Sequence, residues 1–270
     1  MDTGHFGQVK VMGERASGTN FLSQLIELNF AVRQLPNITS CSEDQFAQIL
    51  QMPEDKRHHL AIAERTEDYN HLVEMPENGG WKHAALTDRV FDALPPADRT
   101  LFLCILRHPA PWLLSLMRRP FHAFCNRAES AAEFLATPWM TRARDELDQL
   151  LLSGPGVLWR LKVHSYLDQA ARRPNVTVLR HEDLLRNPAS VLGGIPLPRK
   201  FTGPWAIPGE HARSWQNAPE SIEPGAPDFL ALRAALPDDP WTLLGPDDAA
   251  ALAEQIGAET LTQAGYSPPG

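Results

Sequence analysis

Residues 9–30 read VKVMGERASGTNFLSQLIELNF. Val9 to Met12 is a short apolar strand, and a loop of small residues follows it. From Thr19 to Phe30 a helix is predicted, with Leu22, Leu25, Ile26 and Asn29 on one face. Strand, tight loop and helix together make an anion site. The loop exposes backbone N–H groups, and the helix points the positive end of its dipole at the same spot. The segment Gly13-Glu-Arg-Ala-Ser-Gly18-Thr19 has the glycine spacing of a phosphate-binding loop, G-x4-G-K-[ST], without its lysine. A grip on phosphate or sulfate is expected, in a manner other than an ATPase's.

Working outward, Thr100 to Leu106 (TLFLCIL) is a continuous apolar run, the pattern of a strand buried on both faces. Arg107-His-Pro109 ends it, and Pro111 to Arg118 reads as a helix with proline in its first turn. Asn175 to Leu179 (NVTVL) is another buried strand, after a helix over Leu158–Ala171. A helix near Glu43–Leu50 is predicted within a polar stretch at 36–59. A further helix is predicted over residues 130–152, with Glu, Asp and Arg on its outer face. Asn78-Gly79-Gly80 is a turn signal before Trp81-Lys82-His83. Glu182 to Arg186 is a short helix that Pro188 stops, Ile195 to Gly225 holds few elements, and a helix over Asp247–Ala264 closes the chain.

Buried strands alternating with helices predict an α/β fold with a parallel sheet covered on both faces. One domain over residues 1–270 is expected, with an irregular Pro/Gly-rich segment at about 193–227 and a helical end. Ligands of such sheets bind at the carboxyl ends of the strands. That rule gathers Arg15, Ser17 and Thr19, then Arg107 and His108, then Arg180, His181 and Glu182 on one rim.

The formal charge of −8 argues against a broad nucleic-acid surface, so an anion site must be built from local cations. Three cysteines, Cys41, Cys104 and Cys125, are widely spaced and form neither a disulfide framework nor a zinc motif. Cys104 is expected to be a buried thiol. Adjacent His58 and His59 diverge on a helix, which favours solvation over a metal pair. The absence of a long apolar stretch or leader pattern leads to the expectation of a cytoplasmic protein with no membrane partner.

The loop Glu14-Arg15-Ala16-Ser17-Gly18-Thr19-Asn20-Phe21 resembles the 5′-phosphosulfate loop of sulfotransferases that use 3′-phosphoadenosine 5′-phosphosulfate. Two further segments are similar in the same order. Arg107 ends a central strand with Ser115 eight residues on, and Arg180-His-Glu-Asp-Leu-Leu-Arg-Asn-Pro188 follows a later strand. The resemblance implies a three-layer P-loop-like fold, that donor as co-substrate, no metal, and a hydroxyl or amine of a small-molecule or glycan acceptor. It assigns the donor to Arg15, Ala16, Ser17, Gly18, Thr19, Asn20, Arg107 and Ser115. Arg213, within Arg213-Ser-Trp215-Gln-Asn217, is the nearest match to the family's loop over the 3′-phosphate. His83 is the implied base, and Arg15 and Lys82 the implied catalytic cations. Lys82 is open to two readings, neutralising the bridging oxygen or plain solvation, and the start of the helix at Thr19 and Asn20 is open to capping or anion binding.

Ala16 departs from the family, which usually has Lys or Arg there, and His181 stands where an aromatic Tyr is usual. Phe21 is expected in the core, and Glu14 is expected to orient Arg15 or cap the loop. Acceptor walls are expected at residues 36–78, 120–145 and 195–225. Two rival functions are a nucleotide kinase or NTPase with an unusual loop, and a non-catalytic nucleotide-binding protein on a sulfotransferase scaffold.

Overall fold

The computed structural model describes residues 6–36, 48, 51, 56–95, 97–118, 128–207 and 235–270. Four strands, β1 (Gln8–Met12), β2 (Arg33–Gln34), β3 (Thr100–Leu106) and β6 (Val176–Arg180), form a parallel sheet in the order β2-β1-β3-β6. Every residue of β3 is buried. Phe102, Cys104 and Leu106 enter one core, while Leu101, Leu103 and Ile105 enter another. The first core is filled from α4 (Pro109–Arg118), α6 (Pro155–Arg172) and α9 (Pro246–Ile256). The second is filled from α1 (Thr19–Asn29), α7 (His181–Arg186) and α8 (Pro188–Gly193). Cover on both faces is why β3 reads as an unbroken apolar run. Phe21, Leu22, Leu25 and Ile26 anchor α1, each contributing about 1.5–3 kcal/mol of apolar burial.

The register aligns the strand ends. Met12 lies opposite Cys104, and Leu106 lies opposite Arg180. The loops after β1, β3 and β6 therefore leave the sheet on one rim.

Several sequence expectations need correction. Residues 56–78, named from the sequence only as part of an acceptor wall and with no extended helix predicted there, form one long helix, α2 (Lys56–Asn78). Its packing is polar: His71 and Asn78 are buried with Met75, and Glu64, Glu67 and Asp68 surround Arg144 at 2.6–2.9 Å. Apolar periodicity could not reveal it. The expected helix over 130–152 is instead α5 (Ala131–Ala136), a 3-10 turn (Ala143–Asp145) and an antiparallel ribbon of β4 (Trp139–Met140) and β5 (Leu151–Leu152). Arg144 and Asp145, expected on an outer face, are 2% and 1% exposed.

Helix α4 begins two residues early, at Pro109. Pro188 opens α8 rather than only stopping α7. The closing helix breaks at Gly257 (φ 86°) into α9 and α10 (Ala258–Gln263). The helix near Glu43–Leu50 falls outside the described residues except Gln48, as do Cys41, Cys125 and the side chains of His58 and His59. Cys104 is a buried thiol, pushed well up by burial. No helix among the described residues is long and apolar enough to cross a membrane.

Candidate functional site

The loop between β1 and α1 is held from below. Ser17 donates both its backbone N–H (3.1 Å) and its hydroxyl (2.6 Å) to the Glu14 carbonyl. Ala16 has φ 64° and Gly18 φ 97°, so the chain turns through two left-handed residues before α1 starts. A Cβ at Gly18 would run into the His181 ring, so glycine is required there by both conformation and space. Helix α1 has no capping side chain and no acidic residue in its first turn. Thr19 is buried and Phe21 lies in the core.

Two buried indoles hold the corners. Trp112 Nε1 donates to the Arg15 carbonyl at 2.9 Å, and Trp159 Nε1 donates to the Arg107 carbonyl at 3.1 Å. Arg107 itself donates from Nη1 to the Ala16 carbonyl at 3.0 Å. The tip of β3 is thereby joined to the loop after β1.

Lys82 and His83 approach the same loop from the turn at Gly79 and Gly80, where φ is 75° and 72°. Gly13 N–H donates to the Lys82 carbonyl (2.9 Å), and Lys82 Nζ donates to Asn20 Oδ1 (2.6 Å). Burial lowers the Lys82 ammonium to about 8. His83 Nδ1 lies 2.6 Å from the Gly13 carbonyl. A carbonyl only accepts, so Nδ1 carries the proton and Nε2 of the neutral ring keeps its lone pair. Burial, then the Lys82 and Arg15 cations, hold His83 well below its ordinary value against the hydrogen bond to Gly13. The ring is neutral at pH 7 and suited to accept a proton at Nε2.

Arg15 is turned into the protein. Its Nη1 donates to Glu14 Oε1 at 3.0 Å, its guanidinium lies 4.3 Å from the centre of the Trp81 ring, and Asp145 Oδ1 is 3.9 Å away. Glu14 Oε1 also accepts from the Arg15 N–H. Arg15 thus braces the loop. Ser17 likewise faces inward, although both residues were expected to meet the donor. Ser115 stands half-buried on α4, about 9 Å along the axis from its start. Arg213 and Trp215 lie outside the described residues.

The corner after β6 is on the expected rim, but its side chains are engaged internally. Glu182 accepts from the His108 N–H (2.8 Å) and the Tyr266 hydroxyl (3.0 Å). Arg180 pairs with Asp183 and donates to the Gly265 carbonyl (2.6 Å). His181 is buried beneath Gly18, edge-on to Phe21.

Sequence reasoning missed Trp81, Asp145 and Lys162. Lys162 Nζ donates to Asp145 Oδ1 (2.8 Å), the Asp145 carbonyl (2.9 Å) and the His83 carbonyl (2.6 Å). Burial alone would raise the Asp145 carboxyl, but Lys162 and Arg15 hold it below its ordinary range. A signal existed: Lys162 falls at helical spacing among Leu158, Trp159 and Tyr166, inside a buried stripe. Among the described residues no group of three or more His, Cys, Asp or Glu side chains is placed to hold a metal ion. Compared with protein-family models, curated proteins and solved structures, the chain matches none.

Proposed function

We propose that the chain is a sulfotransferase on a three-layer P-loop-like fold, using 3′-phosphoadenosine 5′-phosphosulfate and a hydroxyl or amine of a small-molecule or glycan acceptor. One juxtaposition carries this reading: the Arg107 guanidinium donates to the Ala16 carbonyl, so the strand-end cation and the small-residue loop are neighbours. The donor's chemistry fits the residues present. An uncapped helix start with no acidic residue suits an anion. A guanidinium is a fork of donors suited to phosphate.

The donor supplies an activated sulfuryl group and a good leaving group. The chain's residues divide the remaining work. The N–H groups at the head of α1, from Gly18 to Asn20, hold the 5′ end. Arg107 with Ser115 holds the 3′-phosphate. Lys82, beside Asn20, steadies charge on the leaving oxygen. His83 Nε2 accepts the proton of the acceptor group. Arg15, bound to Glu14 and Trp81, acts by bracing the loop rather than by touching the donor. The transferred group carries less charge than a phosphoryl group, so fixed cations and N–H donors suffice without a metal ion.

The test is incubation with labelled donor and a broad acceptor pool. Transfer is expected, and His83→Ala should reduce it by at least about 100-fold. Unchanged turnover in that variant overturns the base. Ala16 in place of a basic residue favours one second reading, a nucleotide binder without activity; tight donor binding with no transfer to any acceptor would establish it. Magnesium-dependent ATP turnover would point to a kinase or NTPase instead.

A further inference from the structure

Helix α6 presents three polar anchors on one face to the strip that carries His83. Lys162 Nζ donates to the His83 carbonyl, Tyr166 Oη donates to the Ala84 carbonyl at 2.9 Å, and Ser165 Oγ accepts from the Leu86 N–H at 3.0 Å. Lys162 is wholly buried. It also lies 3.8 Å from Glu14 Oε2, a buried oxygen with no hydrogen-bond partner. Arg15 and Lys162 thus face Glu14 and Asp145 in a balanced quartet of two cations and two carboxylates beneath the loop.

We propose that Lys162 is the positioning residue of this site: its ammonium ties His83 to Asp145 and so fixes where the His83 imidazole stands against the Gly13 carbonyl. Three contacts from one ammonium bridge α6, the 3-10 turn at Ala143–Asp145 and the segment after Gly80. Such a post is costly to bury unless charge and hydrogen bonds are both met, and here they are. The charged groups around His83 are Lys82 beside it, Arg15 from the loop and Lys162 from α6, with Glu14 and Asp145 bound to the last two. Removing the Lys162 cation takes that set of three cations and two carboxylates from one net positive charge to none. The ring should then hold its proton more tightly and lose its fixed place.

The role of His83 as a base rests on the proposed function, but the position and titration of its ring do not. The experiment is therefore NMR titration of the His83 imidazole in the full chain, for the native protein, Lys162→Met, Lys162→Gln and Tyr166→Phe. Lys162→Met should raise the His83 pKa by about one pH unit and erase the signature of a proton on Nδ1. Lys162→Gln keeps amide hydrogen bonds and loses the charge. It should raise the pKa similarly while retaining the Nδ1–H signal, and it serves if the methionine variant does not fold. Tyr166→Phe removes a neighbouring anchor without altering charge and should move neither reading. An unchanged pKa in both Lys162 variants, or an equal change in Tyr166→Phe, overturns the proposal. Absence of sulfate transfer by the native protein would count against the function and leave this titration standing.

Discussion

His83 touches the loop through Nδ1, and that contact decides what its other nitrogen can do. With the proton held at the Gly13 carbonyl, Nε2 is the free base of the ring. Because burial and nearby cations lower its pKa, the neutral form persists below pH 6.5. Lys82 titrates in the other direction, losing its charge as pH rises through about 8. The rate of transfer, kcat/KM, should therefore stay flat through pH 6.5 on the acid side and fall above about pH 8. An acid limb centred at or above 6.5 contradicts the His83 geometry. Lys82→Met should remove the alkaline limb together with most of the rate, whereas Arg15→Met should act through the stability of the loop.

At the scale of elements, the loop from Gly13 to Gly18 is the part most exposed to single changes. Gly18→Val forces a branched side chain into φ 97° and against the His181 ring. It should cost about 2–4 kcal/mol in urea unfolding and abolish nucleotide binding. Wild-type stability in that variant would mean the loop is shaped otherwise. This loop was legible because glycine spacing, strand and amphipathic helix all pointed the same way. Strand β3 was legible because both faces are covered and its residues are apolar throughout. Helix α2 was not, because it is held by ion pairs with Arg144 and by His71 bridging Glu146 and Trp81 rather than by an apolar stripe. Asp145 and Lys162 were hidden by the same cause. A charged residue reads as solvated until a partner from a distant segment is known. The resemblance grouped Lys82, His83 and Arg107 by their order along the chain and did not place them against one loop, while the inward turn of Arg15 and Ser17 depends on Glu14, Trp81 and Asp145 and has no local signature.

For the whole molecule, the formal charge is −8, yet some of its basic side chains are buried in the fold. Lys10 lies wholly inside, donating to the Pro36 (2.7 Å) and Gly80 (2.6 Å) carbonyls, and burial, opposed by Glu74, lowers it from 10.5 to about 7. Between those values the unfolded chain holds more protons, so this residue's contribution to stability grows as pH rises from 7 to 10.5. The full swing is on the order of 5 kcal/mol. Compared with Lys10→Met in urea titrations, the native protein should gain stability across that range; parallel curves would contradict the lowering of the Lys10 pKa by burial.

The claim on which the rest depends is that the first loop and the Arg107 guanidinium hold one nucleotide bearing phosphates at both its 3′ and 5′ positions. Thermal unfolding with 3′-phosphoadenosine 5′-phosphate tests it most directly, against ATP with magnesium, in the native chain and in Arg107→Ala. At a hundred times its dissociation constant the bisphosphate should add about 2.7 kcal/mol. That corresponds to a rise of about 5–10 °C in Tm, largely lost in Arg107→Ala and not matched by ATP with magnesium. No rise with the bisphosphate, or an equal rise in Arg107→Ala, would contradict it.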